Sequence, residues 1–112
     1  MRFLVMVKAT RDAEAGVLPD EGMIAKVGAF NQRLVDAGMY LDSGGLRSSS
    51  EGIRISCAAE EQRVERGPFV PVQELVSGFW LVRADSMATL LDMFANCPFS
   101  NGERLEIREI RP

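Results

Sequence analysis

Two apolar runs decide the fold: Phe3-Leu4-Val5-Met6-Val7, held between Arg2 and Lys8, and Phe79-Trp80-Leu81-Val82, ending at Arg83. Neither shows the polar alternation of a strand with one wet face, so both are read as central strands buried on two sides. Working outward from the first, the polar stretch from Thr10 to Gly16 receives no element. Pro19, Asp20 and Glu21 then open a helix, because Pro is tolerated and acids are favoured in a first turn. Met23, Val27, Phe30 and Leu34 follow at helical spacing and Gly38 caps the end, which predicts a helix over about 20 to 37.

Between the helix and the second apolar run, Tyr40 opens a short strand that ends near Leu46. Ser48 to Gly52 turns the chain into Ile53-Arg54-Ile55-Ser56-Cys57, whose alternation predicts one wet face. After a turn at Glu60-Glu61, Gln62 to Arg66 is a further extended piece. Gly67-Pro68-Phe69-Val70-Pro71 interrupts regular structure, since two prolines remove ladder donors and fix φ. Beyond Arg83, Asp85 is the predicted N-cap of a second helix with Met87, Leu90, Leu91 and Phe94 as its apolar stripe, stopped by Pro98. Asn101-Gly102 turns the chain into a last strand, where Leu105 and Ile107 alternate with Glu106 and Arg108.

The order β-α-β-β-(β)-β-α-β predicts one α+β domain over residues 1–112, a ferredoxin-like split βαβ with an antiparallel sheet and two helices on one face. The two central runs then leave large side chains such as Leu4, Met6 and Trp80 on the uncovered face. That patch exceeds what a monomer tolerates, and face-to-face pairing of two sheets hides it with the fewest assumptions. The expectation is a homodimer through the sheet faces, closing an α+β barrel.

Composition narrows the chemistry. The 112 residues contain no His, which removes the commonest general base and metal ligand and excludes Ser-His-Asp, Cys-His and His-ligated zinc mechanisms within one chain. With 13 Lys and Arg against 16 Asp and Glu, a net charge of -3 argues against a nucleic-acid partner. No carboxylate cluster has metal-ligand spacing, and no cofactor motif is present. The two cysteines, Cys57 and Cys97, form no CxxC and are read as buried small hydrophobes in a reducing cytoplasm. The apolar run at the amino terminus is too short for a signal peptide or a membrane span.

Arg66-Gly67-Pro68-Phe69, followed by Gln73-Glu74 and Gly78-Phe79-Trp80, resembles the YCII-related family in its DGPF branch. Ala37-Gly38, Gly45-Leu46, Cys97-Pro98 and Glu106-Ile107-Arg108 extend the resemblance over nearly the whole chain. It implies a dimeric ferredoxin-like barrel in small bacterial proteins, some encoded beside alternative sigma factors. It also implies a relationship to the YciI branch, whose His-Asp dyad takes its His from the first helix and its Asp from the position before a Pro. Here that position is Cys97, no His exists, and Arg66 replaces the motif's Asp, so the dyad does not carry over.

Two groups of candidate site residues follow. Gly67-Pro68-Phe69 is read either as a rigid turn that Phe69 anchors on the core or as the rim of a pocket at the end of the sheet, where Arg66 and Glu74 present polar groups beside Phe69 and Trp80 and Arg66 pairs with a ligand carboxylate or with Glu74. Tyr40 and Asp42, two apart on one strand, are expected on the same face, where a phenol and a carboxylate could share a proton. The leading expectation is a homodimeric small-molecule-binding or regulatory protein. The alternatives are an enzyme using Tyr40, Asp42 or Glu74, and a protein-interaction module acting in transcription.

Overall fold

The computed structural model describes residues 1–112. Strand β1 (Arg2–Lys8) is followed by one turn of helix, α1 (Arg11–Glu14), the long helix α2 (Glu21–Asp36) and β2 (Tyr40–Gly45). Strands β3 (Ile53–Cys57) and β4 (Gln62–Arg66) precede β5 (Val76–Arg83), α3 (Met87–Phe94) and β6 (Leu105–Glu109). The main sheet runs β2-β5-β1-β6 with every neighbouring pair antiparallel, which is the ferredoxin-like order; β3 and β4 form a separate two-stranded hairpin inserted between β2 and β5.

The α2 termini follow the chemistry of their residues. Asp20 accepts the Met23 N–H at 2.7 Å as the N-cap, and Gly38, at φ +71°, takes the left-handed position after the last turn. Helix α3 starts one residue later than expected: Ser86, not Asp85, accepts the Thr89 N–H at 3.1 Å. Its inward stripe is Leu90 and Phe94 with Met93 and Cys97 beside them, whereas Met87 and Leu91 are exposed. Helix α1 falls in the stretch to which the sequence assigned no element, capped by Thr10 Oγ1 accepting from Ala13 N–H at 3.2 Å.

The core is one cluster between the sheet and the helices. Phe3, Val5 and Val7 of β1 and Trp80 and Val82 of β5 meet Phe30 and Leu34 of α2 and Leu90 and Phe94 of α3. Trp80 sits at its centre, 3% exposed, edge-on to Phe30 and Phe94 with centroids 5.7 and 5.5 Å away, and donates its indole N–H to Asn31 Oδ1 at 2.7 Å. The expectation that put Trp80 on the bare face with Leu4 and Met6 is therefore corrected. Antiparallel pairing sets Trp80 opposite Val5, and strand alternation then sends both to the helices.

The hairpin departs further from expectation. Alternation in β3 predicted one buried face, but every residue of β3 and β4 is exposed, Cys57 included, so Cys57 is not the buried hydrophobe expected. The ribbon projects from the body, consistent with a radius of gyration of 15.8 Å where a compact chain of this length has about 13 Å. No helix is long and apolar enough to cross a membrane.

Candidate functional site

The face of the sheet turned away from α2 and α3 has a regular chemical layout. Cross-strand partners share a face, so the register gives two rows across the four strands. One row reads Asp42, Leu81, Leu4, Arg108 and the next reads Gly44, Phe79, Met6, Glu106. Leu4, Met6, Phe79 and Leu81 are half-buried and form an apolar middle, while Asp42 on the β2 edge and Arg108 on the β6 edge stand three strand spacings, about 14 Å of backbone, apart. Arg108 is paired with Glu106 of its own strand at 3.4 Å. Gly44 leaves room for Phe79, whose ring would lie 3.2 Å from a Cβ at that position. An apolar floor with a few polar groups at its rim is the usual composition of a ligand site or an interface core.

Of the sequence candidates, Asp42 alone belongs to this face. The expectation that Tyr40 shares it fails because the β2 to β5 register shifts between Tyr40 and Asp42: Tyr40 lies opposite Val82 and Asp42 opposite Leu81. That bulge adds a residue and sends the two side chains to opposite faces. Tyr40 instead packs against the helix-side core with its hydroxyl 2.7 Å from Ser43 Oγ, and Asp42 accepts the Ser43 N–H at 2.8 Å. No proton passes directly between phenol and carboxylate in this arrangement.

The other candidates lie apart from one another. Trp80 is in the core, Glu74 is exposed in a short 3-10 turn over Val72–Glu74, and Arg66 is exposed at the end of β4 with no ion pair to Glu74. The pocket expected between Phe69, Glu74 and Trp80 is not assembled by these residues. Phe69 instead belongs to a polar clasp at the loop end of the sheet. Ser49 donates its N–H to Glu14 Oε1 at 2.6 Å and its hydroxyl to Glu14 Oε2 at 2.5 Å, while its Oγ accepts the Phe69 N–H at 2.9 Å. Ser48 donates to the Glu14 carbonyl oxygen at 2.6 Å, and Arg54 of the hairpin stacks over the Phe69 ring at 4.1 Å.

The clasp explains two residue types in the Gly67-Pro68-Phe69 loop. A Cβ on Gly67 would overlap the Ser49 carbonyl oxygen, so only glycine fits, and Phe69 supplies both the N–H for Ser49 and the surface under Arg54. Glu14 was not singled out by sequence, since its partners lie 34 and 35 residues away. The Ser49 N–H and hydroxyl hold its carboxyl below the ordinary value of 4.5. A carboxylate with lowered basicity is a poor base for a serine hydroxyl, so the pair ties the loop down instead of activating a nucleophile.

At the opposite end of the sheet, a cleft of about 490 Å³ is bordered by Arg33, Met39, Arg83, Asp85 and Asp92. None of these residues was a candidate by sequence. No group of three or more Cys, Asp or Glu side chains is placed to hold a metal ion.

The model of the YCII-related domain matches residues 1–112, and the chain belongs to that family. No curated protein sequence matches it. Among solved structures, it is similar to 5-chloro-2-hydroxyhydroquinone dehydrochlorinase (TftG) from Burkholderia phenoliruptrix AC1100, in complex with 2,5-dihydroxybenzoquinone. The TM-score is 0.51 at 14% sequence identity, over 100% of this chain and 96% of that one; the likeness is one of fold.

Proposed function

We propose that this member of the YCII-related family pairs with a second copy through its open sheet face and holds a small, partly apolar molecule in the space between the sheets. The observation that supports the reading is the two-row face of Leu4, Met6, Phe79 and Leu81, flanked by Asp42 and Arg108. Only 13 of 112 residues are buried in the single chain although 46% are hydrophobic, so pairing supplies the burial that the monomer lacks. Within the family, Gly67-Pro68-Phe69 favours the DGPF branch. The two free cysteines suit a reducing cytoplasm.

Without His, a His-Asp dyad is excluded, and the role is binding in preference to acid-base turnover. A second reading makes Asp42 a catalytic carboxylate, because it is the one titratable candidate on the rim of the apolar floor. Thermal melting with 2,5-dihydroxybenzoquinone, the molecule named with the structural neighbour, tests both. A rise in melting temperature that Leu81→Arg abolishes supports binding at this face. Absence of any shift with this probe and with a panel of small phenols and carboxylates overturns it. Turnover lost in Asp42→Asn with the melting shift kept would select the enzyme.

A further inference from the structure

We propose that the β3–β4 hairpin is a second self-association element, in which β4 pairs antiparallel with β4 of another copy about a twofold axis at Val64. This contact does not depend on the sheet-face pairing.

Hydrogen-bond phase selects the residues. In the hairpin, Gly67 N–H donates to the Gly52 carbonyl at 3.0 Å and Ala58 N–H to the Glu61 carbonyl at 3.1 Å, the two ends of one ladder in which Ile53 lies opposite Arg66 and Cys57 opposite Gln62. Bonded and non-bonded pairs alternate in an antiparallel ladder, so 54 with 65 and 56 with 63 bond inward. Gln62, Val64 and Arg66 consequently direct their N–H and C=O groups outward, along an edge that no other strand of the chain covers. A twofold axis can sit at one of these three residues, in a bonded pair, or at Arg63 or Glu65, in a non-bonded pair; the last two set like charges opposite each other, and of the other three Val64 is the middle one.

Charge selects the same register. Centred on Val64, the pairing sets Arg63 of each copy opposite Glu65 of the other, Gln62 opposite Arg66, and Val64 opposite itself. The two Arg-Glu pairs fall on the polar face, next to the existing cross-strand neighbours Arg54 and Glu65. The other face gains a Val64-Val64 contact between residues 59% exposed in the single chain. The edge of β3 has no such match, because pairing it about Ile55 puts Arg54 opposite Ser56. Exposed charges ordinarily guard a strand edge against foreign strands, and here they admit one partner, a second copy. Pairing also turns a two-stranded ribbon, marginal by itself in water, into four strands.

The test is the mass of the full chain by analytical ultracentrifugation, with circular dichroism confirming that each variant is folded. R63E places Glu opposite Glu65 across the interface, and its own hairpin partner is the neutral Ser56, so the ribbon itself gains no like-charge pair. The expected result is a halved mass for R63E alone and for E65R alone, with self-association weakened about tenfold or more. An equimolar mixture of R63E and E65R restores the wild-type mass, since positions 63 and 65 are then both acidic on one edge and both basic on the other. A wild-type chain that stays monomeric at about 100 μM, an R63E mass equal to wild type, or a mixture that fails to recover would each overturn the proposal. Phe79→Glu separates the two interfaces: a mass halved by Phe79→Glu and unchanged by R63E leaves the sheet-face pairing and removes the hairpin contact.

Discussion

The four-stranded sheet and the β3–β4 hairpin are both antiparallel, yet they are stabilised by different physics. In the sheet, Phe3, Val5, Trp80 and Val82 are at most 3% exposed under two helices, so the strands are fixed by apolar burial. In the hairpin no residue is buried, and Ile53, Ile55 and Val64 are 51 to 59% exposed. Its attachment to the body runs through the Glu14-Ser49-Phe69 clasp and the Arg54 to Phe69 stack. One region is fixed by burial and the other by directed polar bonds, and the two should fail separately.

The largest effect belongs to the body. Trp80→Ala removes the ring at the junction of Phe30, Phe94 and Phe99 and orphans its bond to Asn31; it should cost about 3–5 kcal/mol in chemical denaturation. A cost below about 1 kcal/mol would mean that the helix-side cluster is not what fixes the sheet. Gly67→Ala comes next, since the added Cβ meets a backbone carbonyl that cannot swing aside. It should destabilise by about 1–3 kcal/mol, with amide exchange rising in residues 53–57 and 62–66 while β1 and β5 keep their protection. If β1 and β5 exchange equally fast, the hairpin and the body form one cooperative unit and the contrast between them is lost.

A smaller, pH-dependent effect comes from Glu14. Its folded pKa lies below its unfolded one, so the carboxylate contributes stability that is present above the ordinary value of 4.5 and lost as the pH falls through the lowered folded value. Acidification should therefore loosen residues 47–52 and 67–69 before the sheet melts, as read by limited proteolysis with an acid protease. Glu14→Gln should show this looser loop at neutral pH and lose the acid step. A loop whose cleavage is independent of pH in the wild type would remove the carboxylate from the clasp.

How far the sequence could be read follows the same division. Strands β1 and β5, helix α2 and the ferredoxin-like order were legible, because burial writes itself into apolar runs and 3.6-residue spacing. Trp80 was assigned to the wrong face because an unbroken apolar run carries no phase; only the register against Val5 sets it. The bulge separating Tyr40 from Asp42 leaves no compositional mark in Tyr40-Leu41-Asp42. Glu14 escaped notice since a bond between residues 35 apart has no local signature, although the serine run that meets it was visible. The alternation in β3 was correct as a pattern and misleading as a burial, because alternation tells which residues share a face and not whether anything covers that face.

The smallest effect is the most discriminating for the hairpin. Arg54 lies on the polar face of β3, opposite Glu65, and its guanidinium covers the Phe69 ring. Arg54→Ala removes that stack, worth about 0.5–1 kcal/mol at an exposed site, and leaves the Ser49 bonds to Glu14 and Phe69 in place. Lysine keeps the charge and loses the planar face, so Arg54→Lys should recover only part of the loss. Exchange of the Phe69 amide separates the two kinds of attachment. It should stay slow in both variants if the serine bond holds the loop, while the β3 and β4 amides quicken as the ribbon swings away from Phe69. A Phe69 amide that quickens in step with the hairpin would mean that stack and clasp act as one attachment, and that the polar bonds need the ribbon in place to form.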